Sequence, residues 1–153
     1  MSGGRVAGAV AGGLIAGLAL SAVMLVGERL GGKPSELIEL ERKTAAKLDI
    51  VTPQGDAPPT AAEQVVTHGG HLALSVLVGL AYATVVDEDR DGVPAGARFG
   101  AAFFVADYGI AGPALGVTPL LWRQPPLRAV QHPVVHLLFG MTMALFARRA
   151  RAI

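Results

Sequence analysis

Unbroken apolar runs constrain this chain more than any other feature, and the first, from about Val6 to Gly27, carries no charge between Arg5 and Glu28-Arg29. A soluble domain builds its core from amphipathic helices of roughly 10 to 14 residues, whereas an uncharged run of about 20 matches the hydrocarbon thickness of a bilayer. Three more runs follow, from about Val65 to Val86, Ala95 to Val117 and Val130 to Ala147. The chain therefore reads as a single all-α membrane domain, a bundle of four transmembrane helices. A cleaved signal peptide competes for the first run, but its apolar core is shorter and precedes a polar mature chain, so a retained helix is expected.

Composition supports this class and removes others. Hydrophobic residues make up 52% of the chain and charged residues only 16%, against about a quarter charged in soluble domains. The net charge of +1 supplies no field for nucleic acid. The absence of cysteine excludes disulfides, thiolate metal sites and cysteine catalysis. Arg148, Arg149 and Arg151 abut the last run, which favours both termini on the cytoplasmic side.

The polar loop from 28 to 64 holds Pro34-Ser35 followed by Glu36-Leu37-Ile38-Glu39-Leu40-Glu41-Arg42-Lys43. Ser35 is a suitable N-cap, and Leu37, Leu40, Ala45 and Leu48 recur at helical spacing, so a short amphipathic helix lying on the membrane or the bundle is expected, its charges a solvated face. Thr52 to Thr60, with three prolines, reads as an extended linker. Asp87-Glu88-Asp89-Arg90-Asp91-Gly92 faintly resembles a calcium loop but lacks the closing glutamate and soluble helix pair that such a loop needs. Gly13, Gly17 and Ser21 recur every four residues, a small-residue packing face.

Polar side chains at membrane depth are costly unless they face partners or water. At about 100° per residue, Gln64, His68, His71, Ser75 and Tyr82 share one narrow sector of the second run, a stripe that must point into the bundle. His132 and His136 lie one turn apart in the fourth run, with Pro133 read as part of its first turn. His68 and His132, near helix ends, are the weaker pair. Glu28 closes the first run and Asp107 sits in the third without a basic neighbour at helical spacing. Three chemistries fit this seam: a proton- or ion-responsive network, a haem or transition-metal site between His71 and His136, or hydrogen bonds that only fix helix register. Nothing indicates an enzyme: there is no nucleophile elbow, phosphate loop or H-E-x-x-H.

The pattern His71, Ser75, Tyr82, then Pro113-Ala114-Leu115-Gly116-Val117-Thr118-Pro119, then His136 before an arginine-rich end resembles the YagU-like bacterial inner-membrane proteins, a domain of unknown function (DUF1440). The first run, ending in Gly27-Glu28 with a proline soon after, is also similar. The resemblance implies a four-helix protein of the bacterial inner membrane, without an established biochemical activity but associated with acid resistance. It matches His71, Ser75, Tyr82, His136 and Glu28, but not His68 or His132. The expected partner is the lipid bilayer, and a homo-oligomer or a role as structural or assembly subunit of a membrane complex stays open.

Overall fold

The computed structural model describes residues 2–90 and 92–151, and among these every regular element is helical. The long elements are α1 (Gly3–Gly31), α2 (Glu36–Lys47), α3 (Ala61–Val85), α4 (Val93–Phe104) and α5 (Pro126–Arg151). Among the described residues α1, α3 and α5 are long and apolar enough to cross a bilayer. α4 departs from the expected regular span: it continues without a gap into a π-helical segment, Val105–Ala111, and a last turn, Gly112–Ala114. Pro113 accounts for this, because it has no amide hydrogen to close onto the preceding turn, and a widened turn absorbs the missing bond. The Gly112 N–H accordingly reaches back to the Asp107 carbonyl.

The helices pack in a row, α3 against α1, α1 against α5 and α5 against α4. Glycines set these close approaches. A Cβ on Gly8 or Gly12 would strike the backbone of Phe146 or Met143 on α5, and one on Gly13 would strike the Ser75 carbonyl of α3. Gly96 and Gly100 of α4 lie directly on the backbone of Gly140 and His136 in α5. Such contacts replace the hydrophobic drive that helices lack in lipid. The Gly13, Gly17 and Ser21 ridge is therefore an intramolecular face turned to α3.

At the end of the bundle shared by Ser2 and Arg151, Arg5 is fully buried and donates to the carbonyls of Ala83 and Val86, groups that the end of α3 leaves without helical partners. Tyr82 packs there, edge-on to Phe99 of α4 at 5.2 Å. The acidic turn beside it forms a short 3-10 helix, Glu88–Arg90, whose Glu88 accepts from the Ser2 N–H and from Arg151; Asp91 of the calcium-like motif lies outside the described residues.

At the opposite end α2 lies beside the turn that follows α4. Gly116 (φ 65°) turns the chain there, and the Val117 and Thr118 N–H groups return to the Gly112 carbonyl. The buried face of α2 is Ile38, Arg42 and Ala45, while Leu48 is exposed, which shifts the expected apolar stripe. Nor are all its charges solvated: Arg42 meets Glu63 at 2.8 Å, both buried, and also donates to the Gly55 and Ala57 carbonyls at 3.0 Å. That guanidinium pins the proline-rich linker to the start of α3, where Thr60 and Glu63 form a reciprocal capping box. Ser35 sits at the N-cap position but its hydroxyl makes no capping bond; its N–H donates to Glu28 Oε1 at 3.0 Å.

Candidate functional site

Arg128, His132 and His136 follow at intervals of four and so share one face of α5. This helix begins at Pro126, earlier than the sequence suggested, so Pro133 is interior and His132 is no end residue. Across from the stripe stands α4, whose π-helical segment carries Asp107 and Tyr108. Adjacent residues of an α-helix diverge by about 100°; the widened turn lets both line one cavity with His132 and His136.

The third contributor is Glu36, the first residue of α2. Its Oε1 accepts from the Tyr108 hydroxyl at 2.7 Å, lies 3.0 Å from His132 Nε2 and 3.6 Å from the Arg128 guanidinium. The histidine contact is an ion-pair distance rather than an aligned hydrogen bond, since Nε2 has no hydrogen-bond partner in line with it. Tyr108 and His132 stack at 4.0 Å between centroids, and Arg128 also reaches Glu39 at 3.4 Å. Burial pushes the Glu36 carboxyl up, but His132, Tyr108 and Arg128 together outweigh it and hold the group below the usual carboxylate range. A net favourable latch thus ties α2 to α4 and α5.

Beneath α2 lies a cavity of about 180 Å³. Leu37 and Leu40 of α2 wall it on one side, Leu20 and Met24 of α1 and Leu74 and Val78 of α3 on others, with Phe103, Val135 and Phe139 completing the apolar lining. Its polar groups are Glu36, Asp107, Tyr108, His132 and His136, with Gln131, His71 and Ser75. His136 lies among Phe103, Phe104 and Tyr108, its Nδ1 2.8 Å from the His132 carbonyl and its Nε2 3.8 Å from Asp107 Oδ2. His71 Nδ1 meets Ser21 Oγ at 3.1 Å, and the buried Ser75 hydroxyl donates to the His71 carbonyl at 2.8 Å.

The seam read from the sequence thus divides into three. His71, Ser75, Asp107, His132 and His136 line the cavity. Glu28 and Gln64 pair outside it, the amide donating to the carboxylate at 2.5 Å, with His68 further along the same face of α3, both of its ring nitrogens enclosed and without a hydrogen bond. Tyr82 belongs to the far end, beside Phe99 and Arg5. Glu36 was read as part of a solvated face, and Tyr108 and Arg128 were not singled out, although Arg128, His132 and His136 at one-turn spacing form a basic stripe that calls for a carboxylate opposite. Among the described residues no group of three His, Asp or Glu side chains is placed to hold a metal ion. No family model, curated protein or solved structure matches the chain.

Proposed function

We propose that this chain is a proton-responsive protein of a bacterial inner membrane, spanning it four times, in which acid releases α2 from the mouth of the cavity. Residues 93–114 are about 33 Å long at helical rise, enough for a fourth crossing despite the π-helical segment. With both termini in the cytoplasm, α2 faces the outer side, the compartment that acidifies first. The observation that carries the reading is Glu36: a carboxylate on an interfacial helix, held over a histidine-lined cavity by Tyr108, His132 and Arg128. The resemblance to the YagU-like family rests on its motif pattern alone, and that family's association with acid resistance points in the same direction.

A haem carried between His71 and His136 fits less well. The cavity is smaller than the roughly 300 Å³ at which pockets for drug-sized molecules begin.

The test is proton entry into proteoliposomes that enclose a pH-sensitive dye. Wild-type protein admits protons faster once the outer pH falls below 4.5, and the His71→Ala/His136→Ala double variant does not. Equal fluxes from the two proteins, both folded, overturn the proposal.

A further inference from the structure

From the arrangement of Asp107 and His136 we infer that the cavity binds a small hydrophobic amine in its protonated form. The His132 carbonyl can only accept, so the 2.8 Å contact with His136 Nδ1 places a hydrogen on that nitrogen. In the neutral ring Nε2 is then an acceptor, and it faces a second acceptor, Asp107 Oδ2, at 3.8 Å. Two acceptors that both line a cavity, too far apart to bond directly, call for a donor between them. An ammonium group supplies N–H bonds to both.

Charge points the same way. Arg128 lies on Glu36 and Glu39, and among the described residues His136 is the sole ion-pair partner of Asp107. With the His136 ring neutral, no positively charged side chain among the described residues meets the Asp107 carboxylate, and a cation from outside can. The remaining titratable groups of the cavity are His71, which faces Ser21, and Glu36, which is engaged by His132, Tyr108 and Arg128; none of the neutral side chains among them carries a fixed positive charge toward Asp107.

Size and lining define the rest of the ligand. A cavity of about 180 Å³ compares with the ~150 Å³ that accepts a benzene ring. Phe103, Leu74, Val78, Val135 and Phe139 offer apolar contact to the rest of the ligand. The ligand class is one ring or short alkyl chain ending in a protonated amine. This inference rests on Asp107 and His136 and does not depend on the acid release of α2.

Isothermal titration of the full chain in nanodiscs of phosphatidylcholine, a lipid without a primary amine, tests it at pH 7.5 with 2-phenylethylamine as probe and the neutral isostere 2-phenylethanol beside it. The amine is expected to bind saturably, at least tenfold more tightly than the alcohol and with no matching heat from empty discs. Asp107→Asn is expected to weaken it at least tenfold, and Asp107→Glu to retain most of the affinity. Val135→Phe, which fills the cavity and leaves the carboxylate in place, is expected to abolish binding as well. Equal affinity for amine and alcohol, no heat beyond empty discs, or undiminished binding by either folded Asp107→Asn or folded Val135→Phe overturns the inference.

Discussion

Replacing Tyr108 by Phe removes one oxygen and leaves the aromatic stack on His132 in place, which makes it the cleanest probe of the latch. The lost bond is short, 2.7 Å, and its acceptor is the Glu36 carboxylate. Hydrogen bonds to charged groups contribute about 1.5–3 kcal/mol. The Arg128 contact at 3.6 Å persists, but Arg128 is partly exposed and such a pair contributes under about 1 kcal/mol. His132 also stays at 3.0 Å and offsets part of the loss. The net cost of Tyr108→Phe is then about 1–2 kcal/mol, a roughly 5- to 30-fold rise in the population with α2 undocked. Hydrogen exchange of the α2 amides in nanodiscs reads that population, with the α1 and α5 amides as internal reference. Unchanged α2 exchange in the folded variant would mean that the hydroxyl does not hold α2, and the reasoning fails.

Two carboxyls of α2 are shifted in opposite directions, Glu36 down and Glu41 up, so acid is expected to act on them oppositely. Glu36 is held below its ordinary value of 4.5, so its contribution is complete above that pH and is lost as pH falls through the lowered value; α2 exchange should rise only below pH 4.5 and should do so less in Glu36→Gln. Glu41 is pushed up by burial and by the neighbouring Glu63 carboxylate, so its charge opposes docking at neutral pH, and Glu41→Gln should protect α2 slightly, on the order of 0.5 kcal/mol, in the same exchange measurement at pH 7. Arg42→Ala strands the buried Glu63 carboxylate and two linker carbonyls, so thermal unfolding in detergent should show a loss of about 3–5 kcal/mol, and Arg42→Ala/Glu63→Gln should recover part of it. Gly100→Val places a side chain into the His136 backbone and should part α4 from α5, seen as loss of the thermal transition, whereas Gly69→Val, which meets nothing within 4 Å, should leave it unchanged.

Hydropathy located the helices because lipid demands long uncharged runs, and the run from Val6 to Gly27 needs no tertiary information to be recognised. The inward direction of Ser75 and Tyr82 followed from angular spacing for the same reason. Two physical effects hid the rest. Pro113 converts the preceding turn to π geometry, and no periodicity based on 3.6 residues per turn foresees Asp107 and Tyr108 lining the same cavity. The charges of α2 were unreadable because burial of Glu36 and Arg42 depends on where an interfacial helix docks, and that is set by partners distant in sequence, Tyr108, His132 and Glu63. His132 was underrated through the misplaced start of α5: Pro133 suggested a first turn, while the helix already runs from Pro126.

The latch itself is open to direct measurement, because the chain has no cysteine and accepts spin labels at chosen sites. Leu48, at the end of α2, and Trp122, in the turn before α5, are 65% and 78% exposed and suit Leu48→Cys and Trp122→Cys labelling. Pulsed dipolar spectroscopy in nanodiscs should give one narrow distance at pH 7, a second, longer population growing below pH 4.5, and that longer population already at pH 7 in Glu36→Gln. A single unchanged distance from pH 7 down to pH 3.5, in both proteins, would contradict a latch on α2 that acid releases.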